Sequence, residues 1–390
     1  MTTKAAPDYF VALSECHFMN EQTMHEISYY PGFTRWWQSV DGVIRAWANR
    51  DLAGGASMPP PRAHALIEWM DKSGVDVCFA LRESMMDVSG GATCMSTNGF
   101  ILEEIAPYPD RMYLECNVGP ILTRGVKNAI WELEYLVKER GAKLCKVYAP
   151  EDGPLNDPRL WPFYEKACEL DIALTIHMGM AYVCPQPTKY TLPLLLDEVC
   201  LDFPELKVIA YHMGWPYHEE MMGYAGKHKN LYLSLSGIIG WLQRAPYRGY
   251  HMIGQALQWV SPDKIVMGLD LAFDDMPRVV DWLRNLEMPA ELQEKWGYPE
   301  ITEEMRAKFL GLNLAKLARD ETKNAYAPRP FSELLPRLCQ QRADLRGMHQ
   351  GQRQERQSAR FGYCQGEIRA VTDARHRALH NGKARSVRLG

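Results

Sequence analysis

Short apolar runs recur along the chain at near-even intervals, and most are followed by a stretch with helical periodicity. The runs are 10–16, 75–81, 112–118, 142–148, 172–177, 206–212, 230–236 and 264–270. Runs of this length, bounded by polar and turn residues, read as strands buried on both faces. Alternation of such strands with helices predicts a parallel sheet, and eight units predict closure into a (β/α)8 TIM barrel of the α/β class. The spacing predicts helices over 124–140, 158–170, 193–203 and 302–319. The first should stop at Gly141, and Asp157-Pro158 should open the second, as an N-cap followed by proline at the first helical position. The barrel is expected to occupy residues 1–325.

Two segments break the pattern. Residues 18–60 follow the first strand and hold Tyr29, Tyr30, Phe33, Trp36, Trp37 and Trp47. A long loop after a barrel strand lies at the C-terminal face, so this aromatic-rich insertion reads either as a lid or substrate wall or as a dimer contact. Residues 326–390 are rich in Arg and Gln and poor in aliphatics. Between 331 and 390 there are 12 Lys+Arg against 5 Asp+Glu, a net of +7. The whole chain carries −4, so residues 1–330 carry −11. A basic arm beside an acidic body is expected to wrap a neighbouring subunit, in a homo-oligomer or with a related chain. Past Tyr326 and Phe331 at its start, the arm lacks interleaved aromatics beyond Phe361 and Tyr363, so nucleic acid is not expected as a partner.

Composition narrows the class. Apolar residues are 46% and charged residues 24% of the 390, which suits an ordinary globular protein with ample core. No run reaches the roughly 18 apolar residues of a membrane span. The sequence MTTKAAPDYF has no apolar signal region, so a cytoplasmic location is expected. The ten cysteines form no C-x-x-C pair and read as free buried thiols.

Side chains two apart on a strand share a face, which predicts that Val11, Leu13, Glu15 and His17 point the same way. The apolar pair would fill the core and the polar pair would stand at the C-terminal mouth. His177, His212 and Asp270 likewise end apolar runs. Any one of them alone reads more readily as a hydrogen-bonded core group, a loop cap or a turn cap. Their joint placement at the ends of strands one, five, six and eight is what points to a site. Two carboxylates and imidazoles converging there suit one divalent Zn, Mn or Fe ion. Arg35, Arg45 and Arg82 are candidates to pair a substrate carboxylate, against a structural reading of each.

The stretch 206–238 (LKVIAYHMGWPYHEEMMGYAGKHKNLYLSLSGI) resembles the amidohydrolase-related family, which includes metal-dependent hydrolases and decarboxylases. So do 171-DIALTIHMG-179, 264-KIVMGLD-270 and 302–320, so that the resemblance covers roughly residues 10–320. It implies a metal bound by Glu15, His17, His177 and Asp270, with His212 activating a water or handling a proton together with Asp270. Hydrolytic members often carry His-x-His on strand one. Here Met19 stands two after His17, and Glu15-x-His17 is the form seen among decarboxylases, with a single metal. Where related decarboxylases tend to have an acidic residue three after the strand-six His, this chain has Trp215. Trp36 and Trp215, with Arg35 and Arg82, are the expected substrate-side residues. Lys146 is either a carbamylated bridge to a second metal, as in some relatives, or an ordinary ion-paired lysine.

The resulting expectation is a decarboxylase-like lyase or a hydrolase acting on a small carboxylate. The alternatives are a subunit of an amidohydrolase-like non-haem iron oxygenase, or its non-catalytic metal-binding partner. Carbon dioxide release, incorporation of water oxygen and reductant-dependent oxygen uptake separate the first three chemistries.

Overall fold

The computed structural model describes residues 9–18, 62–82, 96–180, 188–239, 245–270 and 276–318. The chain divides into two units, Met1–Lys323 and Asn324–Gly390, and every described residue lies in the first. The insertion from residue 19 to 60, with Arg35 and Trp36, and the 326–390 arm lie outside the described residues.

Eight parallel strands follow one another around a single sheet: β1 (Ala12–His17), β2 (Val77–Leu81), β3 (Met112–Asn117), β4 (Leu144–Val147), β5 (Ala173–His177), β6 (Val208–Tyr211), β7 (Leu231–Ser234) and β8 (Ile265–Val266). A parallel bridge between Ser14 and Gly268, with Leu269 N–H donating to Ser14 O at 2.9 Å, joins the end of β8 back to β1 and closes the barrel. Seven of the eight predicted apolar runs contain a whole strand, and the first, 10–16, stops one residue short of the end of β1.

The helices follow the sequence signals closely. Asp157 caps the turn Pro158–Leu160, its carboxylate accepting from Arg159 N–H at 2.9 Å, and the helix Trp161–Glu169 follows. The helix Val126–Lys138 ends three residues before Gly141, whose φ of +70° lets the chain turn into β4. The helix expected over 302–319 runs as Glu303–Ala307, a π turn Lys308–Leu312, and Asn313–Leu317. Among the described residues no helix is long and apolar enough to cross a membrane.

Two apolar layers hold the barrel. Leu13, Cys78, Ala80, Cys145, Leu174, Ile176, Val208 and Leu233 face outward and pack under helices through residues such as Leu66, Met70, Leu133 and Phe163. Inside, Ala12, Val77, Phe79, Leu144, Ala173, Ile209, Tyr211 and Val266 pack with Leu314 and Leu317 from the last helix to form a floor. The six cysteines among the described residues are free thiols, and five are buried.

Simple alternation along β1 is corrected by the structure. Ala12 belongs to the inner layer whereas Val11 and Leu13 belong to the outer one, so the apolar pair does not share a face with the ligand candidates. The register against β2 slips by one residue between Leu13 and Cys16, and Glu15 adopts a φ of +58°. This bulge reverses the alternation. Cys16 and Phe18 face outward beyond it, and Glu15 and His17 face the barrel mouth.

Candidate metal centre

β1 delivers Glu15 and His17, β5 delivers His177, and the turns after β6 and β8 deliver His212 and Asp270. All stand at the C-terminal ends of their strands. Glu15, His17 and His177 are 1%, 6% and 8% exposed, so whatever they bind is shielded from bulk water.

These five side chains form one connected group. His17 Nε2 lies 3.2 Å from Asp270 Oδ1. His212 stands 3.6 Å from Glu15 Oε1 through Nε2 and 3.9 Å from Asp270 Oδ2 through Nδ1. His212 Nε2 is also 3.0 Å from His177 Nδ1. One donor atom each from Glu15, His212 and Asp270 fall within 4.8 Å of one another. The structure thus brings together every ligand and proton-handling candidate named from the sequence.

The backbone is strained where the group is built. Glu15 (φ 58°), His212 (φ 58°) and Asp270 (φ 50°) account for three of the five positive-φ non-glycine residues described. Left-handed conformations cost about 1–2 kcal/mol each for such residues and persist where the surroundings over-determine them, which is characteristic of functional sites. Gly237 makes room for the turn: a Cβ there would stand 2.9 Å from His212 Nδ1 and 3.0 Å from Asp270 Oδ2.

Hydrogen bonding orders the two central imidazoles. His177 Nε2 faces Met180 O at 3.1 Å and His212 Nδ1 faces Ser236 O at 3.1 Å. A carbonyl only accepts, so each of those nitrogens carries a proton when its bond is made. Between the rings, His212 Nε2 and His177 Nδ1 lie within hydrogen-bonding distance at 3.0 Å. Burial first, then the charges of His212 and Lys146, hold the His177 imidazole well below its usual range, outweighing the Met180 bond. Burial pushes the Asp270 carboxyl up, but the His17 bond and the charges of His212, His17 and Lys146 prevail and leave it lowered.

A buried polar layer lies directly beneath. Lys146 Nζ is ion-paired with Glu15 Oε1 and sits 4.1 Å from the Tyr211 ring centroid. Glu115 Oε1 accepts from Thr175 Oγ1 and Tyr211 OH, each at 2.6 Å, and Glu115 Oε2 accepts from Glu15 N–H at 3.0 Å. Of the two readings of Lys146, the ion pair is the arrangement seen. Sequence reasoning missed Glu115, Thr175, Tyr211 and Ser236. Their only sequence trace is a polar residue inside an otherwise apolar run.

The remaining candidates are placed less centrally. Arg82 Nη1 donates to Asn117 O at 2.5 Å and Gly119 O at 3.3 Å, which anchors it to the end of β3. Trp215 is half-buried, and its carbonyl accepts from Met180 N–H at 2.8 Å, tying the loop after β6 to the one that holds His177.

The site fits a divalent cation. Glu15 Oε2 is buried and has no hydrogen-bond partner among the described residues. An unsatisfied buried carboxylate oxygen is costly, and a cation beside it removes that cost. Carboxylates with neutral imidazole are a donor set for Zn, Mn or Fe.

Comparison with known proteins agrees. A family model described as amidohydrolase matches residues 91–318. The chain belongs to the amidohydrolase family. It is accordingly an enzyme of the metal-dependent amidohydrolase superfamily. A 2-keto-4-carboxy-3-hexenedioate hydratase of Sphingobium sp. is 30% identical over 139 residues, 31% of this chain, and the match spans 41% of that protein's length. An uncharacterized TIM-barrel protein of Bordetella bronchiseptica superposes with a TM-score of 0.56 at 18% identity, covering 79% of this chain and 97% of its own. A dihydroxybenzoic acid decarboxylase of Polaromonas sp., solved with manganese and 2-nitroresorcinol, gives 0.55 at 18% identity, covering 81% and 100%. At these identities the structural likeness is one of fold.

Proposed function

We propose that this amidohydrolase is a decarboxylase-like enzyme acting on a small carboxylate, with one divalent ion (Zn, Mn or Fe) held by Glu15, His17, His177 and Asp270. The observation that carries this is the group of two carboxylates and three imidazoles, with Glu15, His17 and His177 buried and Glu15 Oε2 lacking a partner among the described residues. Bound there, the ion would supply Lewis-acid polarisation of substrate oxygens.

The division between the two linked histidines follows from charge. A metal ligand must be neutral imidazole with a lone pair to give; burial favours the neutral ring at His177, and with Nε2 bonded to Met180 O the lone pair it would offer is at Nδ1, on the side of His212. His212 touches both carboxylates at 3.6 and 3.9 Å, which suits a ring that carries a proton. With Nδ1 held by Ser236 O, the transferable proton is the one at Nε2. Asp270 can hold a proton in exchange. The substrate class is a carboxylate that also carries a hydroxyl or keto oxygen, a pattern common to the dihydroxybenzoic acid and 2-keto acid in the names of the relatives. Arg35, Trp36, Arg82 and Trp215 are the proposed substrate-side residues.

The hydratase match supports a second reading, addition of water to an unsaturated carboxylate with His212 again moving the proton. One experiment separates them. Metal-loaded protein is incubated with hydroxybenzoates and unsaturated keto acids in labelled water, and carbon dioxide and product oxygen are analysed. Metal-dependent carbon dioxide release, lost in Asp270→Ala, is the expected outcome. Label incorporation without carbon dioxide would favour the hydratase, and oxygen uptake with neither would overturn both.

A further inference from the structure

We infer that Glu115, on β3, is the positioning residue for Glu15: it fixes the bulge that aims the Glu15 carboxylate and so sets metal affinity, without touching the metal itself. The inference rests on the proposed role of Glu15 as a ligand.

Glu115 is wholly buried, at 0% exposure. A carboxylate at such a depth costs several kcal/mol unless paired and hydrogen-bonded. Its three bonds, to Thr175 Oγ1, Tyr211 OH and the Glu15 N–H, offset part of that cost together with the Lys146 charge, although burial still pushes its carboxyl up. Two come from hydroxyls on β5 and β6, which fix the carboxylate in place. The third comes from the residue whose backbone is strained.

At a bulge the extra residue leaves the regular ladder. The Glu15 N–H is turned into the barrel, where Glu115 Oε2 receives it at 3.0 Å. At its other end Glu15 Oε1 is paired with Lys146. The residue is thus gripped through its amide and through one carboxylate oxygen, and Oε2 is the atom left over. Glu115 makes no hydrogen bond to His17, His177, His212 or Asp270 among the described residues. Its influence on the centre therefore passes through Glu15. A residue that only balanced the Lys146 charge would not need to bond the backbone of a ligand two strands away.

Cobalt(II) is the probe, because its visible bands report ligand arrangement independently of turnover. Full-length wild type, Glu115→Gln, Tyr211→Phe and Glu15→Gln are titrated with Co2+ against a chelator, and thermal unfolding is followed in parallel. Partners that orient metal ligands are typically worth about 10–100-fold in affinity. Glu115→Gln should weaken Co2+ binding by about that factor and shift the visible bands while unfolding stays cooperative. Tyr211→Phe, which removes one of the bonds that hold Glu115, should move affinity and bands in the same direction by less. Wild-type affinity and spectrum in Glu115→Gln, with binding lost in Glu15→Gln, would overturn the inference and leave the metal assignment intact. Unaltered binding in Glu15→Gln would overturn the assignment and the inference with it. Should Glu115→Gln fail to fold, Tyr211→Phe decides: an unchanged spectrum and affinity there overturns the inference.

Discussion

His17 Nε2 lies 3.2 Å from Asp270 Oδ1, so the first and last strand ends of the barrel meet at the centre of the site. The same two ends are joined one layer lower by Leu269 N–H and Ser14 O. The polar contact is not what shuts the barrel. Replacing His177 or Asp270 with Ala should therefore remove most bound metal while circular dichroism and cooperative unfolding persist. Elemental analysis is the check, and full occupancy in both variants would refute the site.

His212→Asn separates the two imidazole roles. With His212 as proton carrier rather than ligand, the variant should retain stoichiometric metal. Its kcat should fall by about 10²–10⁴-fold, the usual contribution of a positioned acid or base. Loss of metal from this variant, with metal kept by His177→Asn, would reverse the assignment.

Lys146→Met tests the buried charge balance. Lys146 and Glu15 are 1% and 2% exposed as side chains, and breaking such a pair from one side costs about 3–5 kcal/mol. The metal-free variant should be destabilised by about that amount in chemical denaturation. Its affinity for Mn2+ should rise, because a positive neighbour is gone and Glu15 is released, and added Mn2+ should raise its Tm more than that of wild type. An equal Tm shift in both proteins would show that Lys146 does not compete with a cation for Glu15.

Gly237→Ala should damage the site directly. The residue has φ +65°, and a Cβ there would press on His212 Nδ1 at 2.9 Å and Asp270 Oδ2 at 3.0 Å. The backbone penalty alone is about 1 kcal/mol, so the fold should survive while activity drops. Crystallography or a Co2+ spectrum should show the His212–Asp270 relationship altered, and wild-type kcat would contradict it.

The strands and the mouth of the site were legible because each strand falls on a short apolar run, and three of those runs end in a histidine or an aspartate. His177, His212 and Asp270 announce themselves that way. What lies inside the barrel was harder to see. A one-residue bulge leaves the hydrophobicity of β1 almost unchanged, since Leu13, Cys16 and their neighbours are buried on either face, yet it decides that Glu15 and Val11 face opposite ways. The layer of Glu115, Lys146, Thr175 and Tyr211 depends on the register of four strands. Lys146 stands level with both Asn117 and Thr175, and His177 with Tyr211. No single strand reveals such heights. Arg35 and Trp36 lie outside the described residues, and Arg82 shows that an arginine at a strand end can be committed to backbone carbonyls instead.

The packed floor has a consequence for traffic. Ala12, Phe79, Leu144, Ile209 and Val266 fill the lower barrel, and Leu314 and Leu317 stopper it. Among the described residues, then, the centre is closed from below. Whatever enters past the loops of the mouth must leave by the same route, so departing product and arriving substrate contend for one doorway. Turnover then requires the first to vacate before the second can be seated.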